Sequence, residues 1–171
     1  MARAATPRVS VSVIVEHDAW REAIDDPLPL LRRAAGAALA QARRDRRSRS
    51  TTTPSVSVAL IDDRAMRKLN RTYRGKDKPT NVLSFPAGEA LEGKGKTQPL
   101  GDVAIALGTV KREARAQGKT VGDHLMHLMV HAVLHLLGYD HESDPDADEM
   151  ETLERKALAG LGIADPYRTA K

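Results

Sequence analysis

The histidines of this chain are concentrated in one segment, where five of the six lie between residues 124 and 141. His131 and His135 are four residues apart, so in a helix their side chains emerge from the same face about one turn apart. Gly138 can end this helix in a left-handed conformation. The chain can then turn back, so that the His141 side chain reaches those of His131 and His135. This spacing predicts one metal site made of His131, His135 and His141.

Three histidine ligands indicate a catalytic metal rather than a structural one. Catalytic zinc usually has three protein ligands and an open position for water, whereas a structural site closes its fourth position with protein. The chain contains no cysteine, which excludes thiolate ligands and disulfides. We therefore predict one Zn²⁺ per chain. Two histidines at this spacing could also be ordinary core or surface residues, but the third histidine behind a glycine makes the array far more specific.

The other histidines support weaker predictions. His124 and His127 continue the same stripe toward the start of the helix. They could support the ligands or line a cleft, or they could be partly buried polar residues on that face. His17 stands alone between acidic neighbours and is predicted to lie at the surface.

The array has the spacing of the metzincin proteases, H-E-x-x-H-x-x-G-x-x-H. In those enzymes the glutamate is the general base of peptide hydrolysis, and here its position is occupied by Ala132. Alanine has no group that accepts a proton. Proteolysis is therefore a weak alternative for this metal site.

Two motifs, HAVLHLLGYDH (131–141) and TYRGKDKPTNVLSFP (72–86), occur together in this chain. With the strand and helix before them, they closely resemble the YbeY family of bacterial metal-dependent endoribonucleases, which act in ribosomal RNA maturation. The resemblance runs from about Val56 to Tyr167. One departure is Ala132, where the family usually has glycine. Because alanine is a good helix former and only one methyl group larger, metal binding should survive.

The resemblance implies a zinc-dependent, single-strand-specific endoribonuclease that acts in 16S rRNA 3′ end maturation and in ribosome quality control. It implies that His131, His135 and His141 bind the zinc, and that Arg74 lies near the metal and serves the reaction. The chemistry of arginine supports this separately, since a guanidinium fork can hold two phosphate oxygens and stabilise charge developing at phosphorus. RNA, the small ribosomal subunit and its proteins are the implied partners, and the implied location is the cytoplasm.

Positive charge accompanies this arginine in the sequence. Lys76 and Lys78 add cations to the same short loop and are candidate substrate-binding residues. The net charge of +4 combines a basic region, residues 1–120, with an acidic one, residues 121–171. This asymmetry favours a polyanionic partner, although a solvated basic face would look the same. The arginine-rich run 43–49 could likewise contact phosphates or simply end a soluble helix.

The residues leave the proton transfers of such a reaction open. Attack by water needs no 2′-hydroxyl, whereas attack by the 2′-hydroxyl would leave DNA uncut. Asp140 and Asp102 are candidates for the general base by chemistry only, and Asp140 could instead hydrogen-bond a ligand histidine. A ribosome-assembly factor with a chiefly structural metal is the alternative from another functional class.

The elements that position these residues are predicted to form one α+β domain spanning residues 1–171. Apolar residues make up 41% of the chain and aromatic residues 3%, so an aliphatic core is expected. Periodicity predicts strands at 8–15, 55–61, 81–85 and 100–107, and helices at 27–44, 64–74, 109–117, 120–137 and 146–161. This gives a small mixed four-stranded sheet covered by about five helices, with the metal site at the end of a long helix. Flexible loops are predicted at 43–53 and 89–99, and neither a signal peptide nor a membrane span is expected.

Overall fold

The computed structural model describes residues 6–46, 52–88 and 97–168. Within these ranges the chain forms four strands and six helices. The strands are β1 (Ser10–Val15), β2 (Thr53–Ile61), β3 (Val82–Pro86) and β4 (Thr97–Ala106). The helices are α1 (Ala19–Ala23), α2 (Leu28–Arg46), α3 (Asp63–Arg74), α4 (Leu107–Ala116), α5 (Val121–Leu136) and α6 (Asp144–Gly160).

The strands form one mixed sheet in the order β1-β2-β4-β3, which confirms the predicted α+β class. β2 pairs in parallel with β1 on one side and with β4 on the other. β3 pairs antiparallel with β4 and forms one edge of the sheet. Parallel neighbours need crossover connections, and α2 supplies the one between β1 and β2.

Side chains alternate across β4, so this strand contributes to two cores. Val103 and Ile105 belong to the larger core, which also contains the buried faces of α2, α5 and α6. Ala104 and Ala106 belong to a smaller core with Met66 of α3. Helix α5 lies within the larger core and contacts α2, α6 and the strands β3 and β4. The helix predicted to hold the metal is therefore the most deeply packed helix of the described fold.

Two predicted helix starts, those of α3 and α5, are confirmed by their capping hydrogen bonds. The side chain of Asp62 accepts a hydrogen bond from the backbone N–H of Ala65 at 2.8 Å. The Thr120 hydroxyl accepts one from the backbone N–H of Asp123 at 3.0 Å. Each bond satisfies an N–H group that has no partner inside the helix.

The predicted loop at 43–53 is wrong at both ends, because α2 continues to Arg46 and β2 begins at Thr53. Tertiary contacts hold the last turn of α2. Arg46 donates a hydrogen bond from Nη1 to the backbone oxygen of Leu137 at 3.0 Å, and its guanidinium lies 4.0 Å from the ring centroid of Tyr139. Residues 47–51 lie outside the described ranges, and their flexibility stays a prediction.

The predicted loop at 89–99 is also too long, because β4 begins at Thr97 and pairs there with Thr53 of β2. Residues 89–96 lie outside the described ranges. Helix α1 was not predicted at all. Its Trp20 is fully buried and donates a hydrogen bond from Nε1 to the backbone oxygen of Ile61 at 2.9 Å, a long-range contact that local sequence does not reveal.

None of the described helices is both long and apolar enough to cross a lipid bilayer.

Candidate metal centre and cleft

The three predicted metal ligands lie together at the C-terminal end of α5. His131 and His135 are one turn apart on this helix, and His141 follows the turn at Gly138, whose φ is 98°. One ring nitrogen from each of the three histidines lies within 4.8 Å of the other two. The structure therefore brings together the three residues that the sequence groups by spacing.

The chemistry of these three side chains fits a zinc ion. Burial, together with the charges of His131 and His141, lowers the pKa of His135 to about 4. At neutral pH the His135 imidazole is therefore uncharged and keeps a lone pair, which is the form that binds metals. Three imidazole nitrogens are a donor set that zinc commonly takes in catalytic sites.

Glu154 of α6 holds the first of these ligands in place. Its side chain is completely buried, and Oε1 accepts a hydrogen bond from Nδ1 of His131. Its other oxygen, Oε2, accepts a hydrogen bond from the Tyr167 hydroxyl and lies 3.5 Å from Nε2 of His127. Because an ionised carboxylate only accepts hydrogen bonds, Nδ1 of His131 is the donor to Glu154, and Nε2 is the ring nitrogen that remains to bind an ion.

The Glu154 carboxylate is ionised although it is buried. Burial alone would raise its pKa, but hydrogen bonds from His127 and His131, the charge of His131 and the Tyr167 hydroxyl outweigh this effect and hold the pKa at about 2. A carboxylate in this position fixes the tautomer and orientation of a ligand histidine and makes it more basic. Glu154 is therefore placed for the supporting role that the sequence suggests for Asp140.

Glu154 is not among the predicted site residues, although the sequence carries a signal for it. Met150 and Leu158 lie on the buried face of α6, and Glu154 is four residues from each of them. An acidic residue inside an apolar stripe indicates a buried carboxylate with partners, because glutamate is almost never buried alone. Its partners depend on how α6 packs against α5, which the stripe does not specify.

We expect Glu154→Gln to lower zinc affinity by about 10- to 100-fold, the usual effect of removing a carboxylate behind a ligand histidine. Glutamine has nearly the same shape but cannot supply the negative charge. The measurement is competition for zinc against a fluorescent chelator. Glu151→Gln is the matched control, since Glu151 lies on the same helix and pairs with Arg155 at 3.5 Å instead. Equal zinc affinities for the two variants would contradict this role of Glu154.

A cleft of about 380 Å³ opens in front of the histidines. Its walls are the end of α3, the segment before β3 and β3 itself. The residues that line it are Arg74, Thr80, Asn81, Val82, Leu83, Ser84, Pro86 and the three histidines. Arg74 thus shares one cleft with the candidate metal ligands. Lys76 and Lys78 are exposed nearby but do not line this cleft, and their role in substrate binding stays a prediction.

The packing around α3 leaves the Arg74 guanidinium available. Arg67 forms a two-point ion pair with Asp77, at 2.8 and 2.9 Å, and Arg71 also lies 3.9 Å from this carboxylate. Within the described residues, Arg74 has no carboxylate partner. Gly75 ends the helix with a φ of 69°, a left-handed conformation that turns the chain away from α3 immediately after Arg74.

The cleft wall that contains Asn81 is held by a chain of partly buried hydrogen bonds. Nδ2 of Asn81 donates to both carboxylate oxygens of Glu113, at 3.1 and 3.0 Å. Glu113 in turn accepts a hydrogen bond of 2.6 Å from Nε2 of His124, which is only 1% exposed. Burial lowers the pKa of His124, which favours the neutral form of its ring. His124 therefore supports the cleft wall, and His127 supports Glu154.

Neither candidate general base lines the described cleft. Asp140 accepts a hydrogen bond at 3.2 Å from the backbone N–H of Glu142, and Asp102 is exposed on β4 opposite Phe85. Ala132 is fully buried in the larger core and presents nothing to the cleft, which further weakens the protease alternative. The side chain of His17 is 44% exposed, as expected for a surface residue.

The chain is similar to known proteins along most of its length. The sequence pattern of the family described as Endoribonuclease YbeY matches residues 21–162. A protein named endoribonuclease YbeY from Azorhizobium caulinodans is 51% identical over 162 residues, which cover 93% of this chain and 96% of that protein. The protein of the same name from Alkalilimnicola ehrlichii is 51% identical over 151 residues, covering 88% and 86% respectively. The solution structure of a Thermotoga maritima protein is 20% identical, covers 93% of this chain and 99% of that one, and has a TM-score of 0.49.

Proposed function

Because this chain belongs to the YbeY endoribonuclease family, we propose that it is a zinc-dependent endoribonuclease specific for single-stranded RNA. The proposed cellular role is ribosomal RNA processing, namely maturation of the 3′ end of 16S rRNA, together with ribosome quality control. The small ribosomal subunit and its proteins are the proposed partners, and the cytoplasm is the proposed location. Residues 1–171 act as one catalytic domain in this proposal.

The observation that carries the proposal is the shared cleft of Arg74 and the three histidines. A phosphodiester that enters this cleft meets three potential metal ligands and a guanidinium fork that has no carboxylate partner among the described residues. Both groups suit a phosphate, since its oxygens are negatively charged and gain charge in the transition state. A neutral peptide bond has no comparable need for the arginine.

The residues have distinct roles in this proposal. His131, His135 and His141 hold the zinc, and Glu154 keeps His131 in the tautomer that leaves its Nε2 unprotonated. A bound zinc ion would supply Lewis acidity toward a phosphate oxygen or lower the pKa of a water molecule. Arg74 orients the phosphate and stabilises the charge that develops on its oxygens. Lys76 and Lys78 add positive charge at the approach to the cleft.

The test is cleavage of a labelled RNA by the purified protein, with zinc content measured on the same sample. We expect about one zinc per chain, as in other sites with three histidines. Single-stranded RNA should be cut and the matching duplex spared, and a chelator should stop the reaction until zinc is restored. Cleavage that continues in full after the metal is removed would contradict the proposal.

A second substrate separates the two possible nucleophiles. A single 2′-deoxy substitution at the cleaved position removes the hydroxyl next to the scissile phosphate and leaves the rest of the RNA unchanged. If water attacks, this substrate should still be cut at a similar rate. If the 2′-hydroxyl attacks, it should resist cleavage at that position only.

A further inference from the structure

The few aromatic side chains of this protein differ in how far they are buried in its core. The chain has one Trp, three Tyr and one Phe. Trp20 and Tyr139 are buried, and the Tyr167 hydroxyl is bonded to the buried carboxylate of α6. The remaining two, Tyr73 and Phe85, contact each other with ring centroids 5.0 Å apart and ring planes at 65°.

In this pair the Tyr73 ring is exposed, and it packs against the partly buried ring of Phe85. Tyr73 is 65% exposed, whereas Phe85 packs against the smaller core beneath α3. An edge-to-face contact at this distance is a favourable aromatic geometry. Phe85 therefore limits how the Tyr73 ring can swing, and a large part of the ring still faces solvent.

Both members of the pair are chain neighbours of cleft residues. Arg74, Ser84 and Pro86 line the cleft. Tyr73 directly precedes Arg74 in the chain, and Phe85 lies between Ser84 and Pro86. Successive side chains of a strand point to opposite faces, so Phe85 and Ser84 lie on opposite sides of β3. β3 is an edge strand, and no other strand of the described residues covers its outer side. A chain leaving the cleft across this edge would pass the Tyr73 ring.

The charges beside the ring match a nucleic-acid strand. Arg74, Lys76 and Lys78 are exposed within five residues of Tyr73 and could follow a phosphate backbone. Proteins that bind single strands combine such cations with aromatic rings on which unpaired bases stack. Bases of a duplex are already stacked on their neighbours and are not available to such a ring.

We propose that Tyr73, supported by Phe85, is a stacking platform for one unpaired nucleobase next to the phosphate held by Arg74. This inference rests on the proposed ribonuclease function and adds a base-binding subsite to it. Since every base has a flat aromatic face, the subsite tolerates different sequences but requires an unpaired nucleotide. It gives a physical reason for single-strand specificity.

Cleavage kinetics of the zinc-loaded protein test the subsite. Tyr73→Ala should lower kcat/KM on single-stranded RNA by about 5- to 150-fold, the range for losing one base–aromatic stack, and mainly through KM. Tyr73→Phe keeps the ring and should retain most of the activity. Ile14→Ala is the matched control, because Ile14 is 64% exposed but lies on β1, at the opposite edge of the sheet. It should cleave like the unmodified protein.

Substrates with one base removed identify the contact directly. Scanning such an abasic site along the RNA should reveal a position where losing the base lowers kcat/KM of the unmodified protein by a similar factor. At that position, the Tyr73→Ala variant should cut the intact and abasic substrates equally well, because the contact is already missing. This non-additivity distinguishes a direct stack from a general effect on the cleft.

Each contrary outcome has a separate meaning. If the unmodified protein cuts RNA and Tyr73→Ala cuts it within about 2-fold as well, the stacking subsite is wrong while the ribonuclease function stands. Abasic effects that are equal in both proteins at every position, or a Tyr73→Phe variant as weak as Tyr73→Ala, would also overturn the subsite. If the unmodified protein leaves RNA uncut, the proposed function fails and the subsite fails with it.

Discussion

Replacing His141 by alanine is expected to abolish the proposed zinc binding and to lower RNA cleavage by at least about 100-fold, since even groups behind a ligand histidine contribute 10- to 100-fold. His141 is the best ligand to change because its side chain is exposed and lies outside α5. Its loss removes one donor without opening a cavity in the core. Zinc content by mass spectrometry and initial cleavage rates measure the two effects on one sample.

Two other histidines complete this experiment. His17→Ala removes a surface histidine near Asp62 and should change neither zinc content nor rate. His131→Ala should lose the metal as His141→Ala does, but it also deprives the buried Glu154 of a hydrogen-bond donor. We expect it to lower the free energy of unfolding by about 1–3 kcal/mol, measurable by urea denaturation. A His141→Ala protein that keeps both zinc and activity would refute the three-histidine site.

Replacing Arg74 by alanine is expected to lower kcat/KM for RNA by about 100- to 1,000-fold, the effect of removing one group that stabilises transition-state charge. Zinc content and folding should not change, because Arg74 is exposed and the metal ligands lie on another helix and its following turn. Arg74→Lys should recover only part of the rate, since lysine keeps the charge but not the planar fork.

Arg71→Ala is the matched control for this arginine. Arg71 is exposed one turn earlier on α3, carries the same charge and does not line the cleft. Its removal should reduce kcat/KM far less than the removal of Arg74, and only through the general attraction of RNA, which added salt screens. Equal losses for the two variants would mean that Arg74 contributes charge alone and has no specific place in the reaction.

The grouping of the three candidate metal ligands could be predicted from sequence because their arrangement is local. The i, i+4 spacing of His131 and His135 and the glycine turn before His141 follow from helix geometry. The α+β class was predictable for the same reason, since strand alternation and helix capping are read over a few residues. Arg74 was assigned through its motif, because no local rule relates residue 74 to residue 131.

The parts that sequence missed all depend on contacts between distant elements. Glu154 meets His131 only because α6 packs on α5, and Glu113 of α4 meets Asn81 only because the fold brings the segment before β3 to this helix. The extension of α2 to Arg46 likewise depends on a bond to the end of α5. In each case a polar residue has a hydrogen-bond partner on a distant element, which local periodicity does not predict.

The three proposed metal ligands occupy the single segment 131–141, and this affects the denatured chain as well as the native one. An unfolded chain still holds the three imidazoles close together, so it retains some affinity for zinc. Ligand binding stabilises a protein only by the difference between native and unfolded affinities. The rise in melting temperature on adding zinc should therefore be smaller than the native affinity alone would give. The support from Glu154, which exists only after α6 has docked, makes the native site the tighter of the two.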